Sequence, residues 1–335
     1  MLELTMSTLV EDQPGEAWRA LFEELWPAYR RWYLREGMRA RAPLARAQAA
    51  LSEYMPELVG TWEKLVSLAG EDQLAAAMLT LYDPPRYVTG CAQAVFAPPG
   101  GPPILVRNYD YTPHLFERVV HRSALGERTV LGTSDCLWGL LDGINESGLA
   151  VSLAFGGRRA SGPGFAISLI IRYLLETCAT VADSERALRR LPVQCSYNLT
   201  LLDGDGDAAT IWIGPDRLPE RAPAPVATNH QAAVEWVQYA NWTRTVERLT
   251  RLQELREQEA ERDQDRIVGA FLRPPLRTVR YNEGMGTLYT LAMSPSDGSL
   301  EYRWPGSSWR MSLSEPARTA HTVVLEDSDR LRPLL

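Results

Sequence analysis

The chain has 335 residues, of which 45% are hydrophobic and 23% are charged, a composition typical of a folded globular protein and unlike that of a disordered one. Its formal net charge of −7 and its pI near 5.3 give no basic field that would attract nucleic acid or an anionic membrane surface, so we expect neither as a partner.

The first residues contain neither the basic nor the apolar region of a secretory signal, and acidic residues follow at Glu11, Asp12 and Glu16. No apolar run approaches the roughly 20 residues that a membrane-spanning helix needs. The four cysteines have no CxxC pairing and no metal-ligand spacing: Cys91, Cys136, Cys178 and Cys195. We therefore expect a cytoplasmic protein without a metal ion or a prosthetic group.

Residues 15–80 have the periodicity of helices. In the first helix, apolar and aromatic residues recur at helical spacing: Trp18, Leu21, Phe22, Leu25, Trp26, Tyr29, Trp32 and Tyr33. A second helical stretch covers about 45–69 with an interruption near Pro56, and a third covers 73–81. The third ends before Asp83-Pro84-Pro85, because proline cannot continue a helix.

After residue 90 the pattern changes to strands. Residues 91–96 and 104–109 are strand-like runs on either side of a loop rich in proline and glycine, which predicts a hairpin. The remaining predicted elements are a strand at 149–155, a helical pair at 165–190, a hairpin of 198–202 with 209–213, a charged helix with a break at 233–270, and a hairpin of 287–293 with 299–304. Runs of helices and runs of strands favour an α+β fold with layered packing.

A thiol, a guanidinium and a carboxylate follow one another at Cys91, Arg107 and Asp110, and Gly90 precedes the thiol. Only the thiolate attacks efficiently, and a nearby cation such as Arg107 stabilises it. If the Gly90–Cys91 bond breaks, Cys91 gains an α-amino group with a pKa near 7.7–8.0, which suits a general base. Glycine tolerates the strained backbone that an attack of the thiol on its own chain demands. The pattern predicts a self-cleaving cysteine hydrolase.

Arg107 and Asp110 are three residues apart on or just after a strand, where alternation would place them on opposite faces. We therefore expect a bulge or a strand end near Tyr109 that brings both side chains to the nucleophile. Asp110 would then hold the new ammonium group while Arg107 lines the thiol pocket. A plain salt bridge between Arg107 and Asp110 is the alternative interpretation.

At these residues the chain resembles the N-terminal-nucleophile (Ntn) cysteine hydrolases. This group holds the choloylglycine (bile-salt) hydrolases, the acid-ceramidase-like enzymes and the acyl-coenzyme-A:6-aminopenicillanic-acid acyltransferases. Its members carry a processed Cys followed by an Arg-Asn-x-Asp element, matched here by Cys91 and by residues 107–110. Their Gly-x-Asn-Glu-x-Gly-Leu turn is matched by residues 143–149, and their later Thr-Asn pair by Thr228-Asn229. His230 extends that pair to the Thr-Asn-His of the acyltransferase branch, and the resemblance spans about residues 88–304.

The resemblance implies a role for each matched residue. Cys91 would be the nucleophile and its freed amine the base. Asp110 would orient that amine, and Arg107 would tune the thiol and contact the substrate. Asn229 would donate a hydrogen bond to the oxyanion of the tetrahedral intermediate.

Three further residues have less definite roles. The resemblance implies a basic residue that opens a helix after the Thr-Asn pair and supports the pocket. Arg244 is the better match for it, and Arg280 fits the same argument. Asn145 and His230 are candidates for support of the substrate or the oxyanion. Asn145 lies in a glycine-containing segment and also suits a purely turn-forming role.

The resemblance further implies a four-layer αββα sandwich behind a helical pro-segment. Residues 1–90 would be this pro-segment, or α-subunit, released at Gly90–Cys91 and remaining bound, and residues 91–335 would be the catalytic β-subunit. The substrate would be a non-peptide linear amide, hydrolysed or used for acyl transfer through an S-acyl-Cys91 intermediate. Acyl-coenzyme-A thioesters are candidate acyl donors by analogy.

Two alternatives stay open at this point. The first is an unprocessed protein with the Ntn fold that binds a ligand without catalysis. The second is a papain-like thiol hydrolase in which His230 and Asn241 complete a Cys–His–Asn set. A papain-type cysteine opens a helix, whereas Cys91 opens a predicted strand, which disfavours the second alternative.

Overall fold

The computed structural model of the protein describes residues 2–315 and 318–326. The strands of the described part are β1 (Leu2–Val10), β2 (Gly90–Phe96), β3 (Ile104–Tyr111), β4 (Val119–Ser123), β5 (Val130–Asp135), β6 (Gly139–Asn145), β7 (Ala150–Phe155), β8 (Tyr197–Leu202), β9 (Ala208–Gly214), β10 (Arg217–Arg221), β11 (Val226–Ala227), β12 (Val279–Arg280), β13 (Met285–Ser294), β14 (Ser299–Trp304), β15 (Ser307–Ser312) and β16 (Ala320–Leu325). The α-helices are α1 (Glu16–Tyr33), α2 (Leu44–Tyr54), α3 (Val59–Leu68), α4 (Gln73–Leu79), α5 (Ile167–Thr177), α6 (Val181–Leu188), α7 (Val237–Thr243), α8 (Thr245–Glu257) and α9 (Gln264–Phe271).

The strands form two sheets that stack face to face. The larger sheet has the order β10-β9-β8-β7-β6-β5-β4-β1-β16, and the smaller has the order β11-β2-β3-β13-β14-β15, with β12 paired to β13. Strand β2 of the smaller sheet lies against β7 and β8 of the larger sheet. The main hydrophobic core fills the space between the sheets, since both inner faces are almost entirely buried.

Helices cover both outer faces. Helix α5 packs on β6 and β7 and α6 packs on β9, while α8 packs on β2 and α9 packs on β3 and β13. A second core joins the smaller sheet to its helices, through residues such as Phe96, Val106, Leu252 and Phe271. The predicted α+β fold with an αββα sandwich is confirmed.

The segment before residue 90 contains the predicted helices, α1 to α4, and also a strand that the sequence did not predict. Strand β1 lies inside the larger sheet, parallel to β4 and antiparallel to β16. The aromatic stripe of α1 is buried at Trp18, Phe22 and Tyr33. The prediction of a helical segment over residues 1–90 did not include this strand, which supplies backbone hydrogen bonds to the sheet in addition to the apolar face of α1.

The predicted charged helix over residues 233–270 is in fact three helices. Arg244 has a left-handed backbone, with φ of 53°, and separates α7 from α8. This conformation is uncommon for a residue with a side chain. Because the helix restarts at Thr245, the side chains after it follow a new rotational phase, and this decides which arginine reaches the interior.

Candidate active site

Cys91 lies near the start of β2, opposite Tyr109 of β3, and its side chain is fully buried. The Arg107 Nη2 atom donates a hydrogen bond to Cys91 Sγ over 3.2 Å. The backbone N–H of Cys91 donates to Asn229 Oδ1 over 3.0 Å. The structure thus places a cation at the sulfur and an amide acceptor at the nitrogen that would become the α-amine.

Arg107 is held in place by a buried carboxylate from the other sheet. Its Nη1 atom lies 2.5 Å from Asp142 Oδ2 and 2.7 Å from the carbonyl oxygen of Leu141. Asp142 also accepts hydrogen bonds from Tyr289 Oη at 2.6 Å and from Thr133 Oγ1 at 2.5 Å. Both members of the ion pair are fully buried. An Arg–carboxylate pair whose carboxylate is held by these further hydrogen bonds fixes the guanidinium beside the sulfur.

The electrostatics of the thiol are a balance of two opposing effects. Burial raises the pKa of the Cys91 thiol, and the positive charge of Arg107 and its hydrogen bond to the sulfur lower it. Burial by itself would lower the pKa of Arg107, but negative charge on Cys91, Tyr289 and Asp142 raises it, so the guanidinium stays charged. In the uncut chain the raised pKa therefore keeps the Cys91 thiol mostly protonated, beside the fixed positive charge of Arg107.

Asp110 faces the opposite side of β3 from Arg107. Its carboxylate forms a buried ion pair with Arg248 of α8 and accepts a hydrogen bond from Thr287 Oγ1 at 2.6 Å. The β2–β3 pairing runs without interruption from Gly90 opposite Asp110, so the expected bulge near Tyr109 is absent from β3. The register shift occurs instead between β3 and β13, next to Thr287. Because the alternation is kept, Arg107 and Asp110 do not form a salt bridge with each other.

The structure does not bring either of the two predicted pocket arginines to this cluster. Arg244 is about half exposed, with 51% of its side chain accessible, and it pairs with Glu247 one turn further along the same helix. Arg280 pairs with Glu283 and donates to the backbone of Trp242. Arg248, four residues after Arg244, is the buried arginine that reaches Asp110.

Asn229 is fixed by a network around the start of α8. Its backbone N–H donates to Thr245 Oγ1 at 2.7 Å, and Thr245 Oγ1 in turn donates to Thr228 Oγ1 at 2.8 Å. Asn198 of β8 donates to the carbonyl oxygens of Thr228 and His230, at 2.8 and 2.9 Å. The segment 228–230 is thereby held between the larger sheet and α8, with the Asn229 amide directed at Cys91.

His230 does not contact the thiol. Its Nδ1 atom lies 2.8 Å from Thr245 Oγ1, whose own hydrogen is given to Thr228, so the imidazole Nδ1–H is the donor in this contact. Burial lowers the pKa of His230, which keeps the ring neutral. Since His230 Nδ1 is engaged by Thr245 Oγ1 and not by Cys91, the papain-like Cys–His arrangement is not formed.

Asn145 lies at the end of β6, away from the thiol, and organises the turn to β7. Its amide donates to the carbonyl oxygens of Leu175 and Cys178 at 2.8 and 2.7 Å, and its Oδ1 accepts from the backbone of Ser147 and Leu149. All four of its side-chain bonds are therefore used to join the turn to the end of α5. This is the turn-forming role that was the alternative for Asn145.

Gly90 has an ordinary strand conformation, because it is not among the residues with positive φ. Its necessity comes from space: a Cβ atom built on it would lie 2.0 Å from Met285 Cε and 3.2 Å from Asp110 Cβ. The backbone of Gly90 lies outside the positive-φ region in the uncut chain. A side chain here would first meet the end of the Met285 side chain and then Asp110.

Two buried acids, Glu117 and Asp135, lie beside residues 1–90. Glu117 accepts hydrogen bonds from Tyr29 of α1, from the backbone N–H of Leu137 and from Ser134 Oγ, and Asp135 accepts from Tyr87 Oη. Burial, followed by the charge of Asp135, raises the pKa of Glu117 to about 7. This pair lines a cleft together with aromatic side chains of α1 and of the chain before Cys91.

Two charged residues of the cluster were missed from the sequence. Asp142 immediately precedes the glycine of the recognised 143–149 turn, and a carboxylate within the apolar run of β6 was the available signal for a buried ion pair. Arg248 lies one helical turn after Arg244, and only the break at Arg244 determines which of them faces inward.

Within 2–315 and 318–326, no group of three or more His, Cys, Asp and Glu side chains could hold a metal ion. No helix in the same part of the chain is long and apolar enough to cross a membrane.

Comparisons with known proteins identify the family and the fold. The family model for acyl-coenzyme A:6-aminopenicillanic acid acyl-transferase matches residues 97–309, starting just after β2, so that Cys91 itself lies outside the match. A search of curated proteins gives no match. Among solved structures, a mutant of the conjugated bile acid hydrolase from Clostridium perfringens is similar with 14% identity and a TM-score of 0.50, over 70% of this chain and 97% of that chain.

Two further structures show weaker similarity. Penicillin V acylase from Agrobacterium tumefaciens has 16% identity and a TM-score of 0.48, over 69% of this chain and 90% of that one. The Caenorhabditis elegans ortholog of N-acylethanolamine-hydrolyzing acid amidase has 20% identity and a TM-score of 0.43, over 62% and 93%. The family model matches well over half of the chain, and the bile acid hydrolase structure has the same fold as this protein. Together they confirm the resemblance to the Ntn cysteine hydrolases. The protein therefore belongs to the acyl-coenzyme A:6-aminopenicillanic acid acyl-transferase family and has the fold of the Ntn cysteine hydrolases.

Proposed function

We propose that this protein cuts its own chain at Gly90–Cys91 and then hydrolyses, or transfers the acyl group of, a small non-peptide linear amide through an S-acyl-Cys91 intermediate. One observation carries the proposal. The sulfur of Cys91 is paired with the fixed cation of Arg107 at 3.2 Å, while the nitrogen of the same residue is held by Asn229 at 3.0 Å. These two contacts support Cys91 as the nucleophile and its freed α-amine as the base.

Self-cleavage would start with attack of Cys91 Sγ on the carbonyl carbon of Gly90. The C–N bond breaks, the nitrogen leaves as the α-amine of Cys91, and the thiol proton ends on that amine, giving a thioester. Water then hydrolyses the thioester, which leaves a carboxylate on Gly90 and returns a hydrogen to the sulfur. The side chains of Met285 and Asp110 lie close to Gly90 and would limit the positions that the bond can take during this attack.

In the turnover reaction the α-amine would take the thiol proton, and the thiolate would attack the substrate carbonyl. The tetrahedral intermediate collapses when its amine leaves with that proton, and water or a second amine then removes the acyl group from Cys91. Cleavage would also open the site to solvent. Less burial of the sulfur would lower the thiol pKa, because the charge of Arg107 would remain while the penalty of desolvation would fall.

The position of β1 supports the proposal that residues 1–90 stay bound after cleavage. This strand lies between β4 and β16, and its release would leave β16 without its partner and one side of β4 unpaired. Helix α1 adds buried aromatic surface, and Trp18 Nε1 donates to the carbonyl oxygen of Leu137 at 3.0 Å. The released segment would therefore remain as a second subunit.

The test is to trap the acyl-enzyme. Purified protein is mixed with N-acyl amino acids, β-lactams and N-acylethanolamines, and the chain is analysed by mass spectrometry for an acyl adduct. We expect an adduct on Cys91 with at least one amide class, absent from Cys91→Ala and present in Cys178→Ala, whose thiol is also buried but has no paired arginine. Turnover that persists in Cys91→Ala, or after complete alkylation of Cys91, would refute the proposal.

A further inference from the structure

The carbonyl oxygen of Thr89, two residues before Cys91, accepts two hydrogen bonds. The Tyr239 hydroxyl donates to it in a short contact, and Asn229 Nδ2 donates to it over 3.4 Å. The Thr89 hydroxyl oxygen lies 3.9 Å from Cys91 Sγ, and Tyr239 is close enough to Cys91 to interact with it electrostatically. Two donors from different elements thus converge on the carbonyl oxygen of a residue that itself contacts the nucleophile.

Tyr239 is positioned by aromatic packing more than by its hydroxyl. It lies on α7, is 4% exposed, and its ring packs edge-on against Phe155 with 5.2 Å between centroids. Trp236, just before α7, and Trp242 of α7 also pack against the ring, with 5.2 and 5.9 Å between centroids. Burial and then the charge of nearby Cys91 raise the pKa of Tyr239 well above its ordinary value, so the hydroxyl stays protonated and remains a donor.

The proposed cleavage at Gly90–Cys91 would change the partner of these donors. In the continuous chain, Thr89 is tethered to Cys91 through Gly90, which keeps its carbonyl in place. After cleavage, Thr89 would belong to a free chain end, and the two donors would be able to lose their acceptor. A preorganised pair of donors without an acceptor, next to a nucleophile, is the geometry that stabilises developing negative charge on oxygen.

We propose that Tyr239 is a catalytic residue that donates, together with Asn229, to the oxyanion formed when Cys91 attacks its substrate, and that the Thr89 carbonyl occupies this position in the uncut chain. The inference rests on the proposed function. The hydroxyl gives a hydrogen bond to the oxygen atom and keeps its proton throughout. It stabilises the tetrahedral intermediate more than the ground state, because charge on that oxygen grows during the attack.

The experiment compares wild type with Tyr239→Phe, which removes one oxygen and keeps the ring that packs on Phe155. Two rates are measured on the cleaved protein: amide turnover, which passes through an oxyanion, and alkylation of Cys91 by iodoacetamide, which does not. We expect kcat to fall by about 10²–10³-fold with little change in KM, and the alkylation rate to stay near that of wild type. Tyr173→Phe is the matched control, since Tyr173 bonds to Glu57 outside the site, and its kcat should be unchanged.

Two complications have direct remedies. If Tyr239→Phe does not cut itself, residues 1–90 and 91–335 are co-expressed as separate chains, with removal of the initiator methionine before Cys91. If the variant does not fold, Tyr239→3-fluorotyrosine keeps the shape and makes the hydroxyl a stronger donor. In that case a changed kcat with unchanged alkylation supports the assignment, and an unchanged kcat overturns it.

The outcomes separate this inference from the function on which it rests. A kcat for Tyr239→Phe within about threefold of wild type overturns the role of Tyr239 and leaves the proposed function intact. An equal fall of kcat and of the alkylation rate also overturns it, since Tyr239 would then only position the thiol. Wild-type protein that turns over no amide overturns both proposals.

Discussion

Replacement of Arg248 by methionine is the sharpest test of how the site is held together. Arg248→Met keeps most of the side-chain volume and removes the charge that faces Asp110. Both members of this ion pair are buried, with side-chain exposures of 2% and 0%. Asp110 would keep only the hydrogen bond from Thr287. A buried carboxylate that loses its cation is expected to cost about 3–5 kcal/mol of unfolding free energy.

Arg244→Met is a matched control, because it is the same substitution one turn earlier in the chain. Arg244 and Glu247 are 51% and 52% exposed, and an exposed pair of this kind contributes about 0–1 kcal/mol. The double variant Asp110→Asn/Arg248→Met should recover part of the loss, since no unpaired charge would then be buried.

The assay is denaturant unfolding in a Cys91→Ala background, in which we expect the chain to stay in one piece and a single transition to be measurable. Amide turnover of the same substitutions with Cys91 intact gives a second readout, and we expect a loss for Arg248→Met and none for Arg244→Met. Equal destabilisation by the two substitutions, or a cost below about 1 kcal/mol for Arg248→Met, would refute the assignment of Arg248 to the site.

Two further predictions concern the Gly90–Cys91 bond and the buried acid Glu117. Gly90→Ala places a Cβ 2.0 Å from Met285 Cε, so we expect self-cleavage to be slower than in wild type when it is followed on gels over time. The double variant Gly90→Ala/Met285→Ala should recover part of the rate. Cleavage of Gly90→Ala at the wild-type rate would contradict this. Burial raises the pKa of Glu117 in the folded protein from 4.5 to about 7. The protonated acid therefore adds roughly 3 kcal/mol to the unfolding free energy below pH 4.5, and this contribution is lost as the pH rises through 7. Thermal melts of Glu117→Gln should lack this loss, and a pH profile identical to that of wild type would exclude it.

Much of the site could be predicted from the sequence because its motifs are local. Cys91, Arg107 and Asp110 lie on one hairpin, and the uninterrupted pairing of β2 with β3 follows from two apolar runs around a proline-rich loop. Asn229 could be predicted because it lies in the Thr228-Asn229-His230 run. Each of these residues is brought to the thiol region by elements that the sequence indicates directly.

The parts that could not be predicted depend on long-range pairing or on helix phase. Strand β1 pairs with β16 from the other end of the chain, and no local pattern indicates that partner. Asp142 acts across the space between the two sheets, so its pairing with Arg107 requires the stacking of β6 on the smaller sheet. The choice between Arg244 and Arg248 depends on a single left-handed residue, which changes the phase of the helix that follows.

The central claim is that Cys91 becomes an N-terminal nucleophile, and the N-terminal sequence of the purified chains tests it most directly. Wild-type protein should give two chains, one ending at Gly90 and one beginning at Cys91 with a free α-amine, and the two should co-elute as one complex. Cys91→Ala should give one uncut chain. A wild-type chain that stays whole, or that is cut equally in Cys91→Ala, would contradict the account.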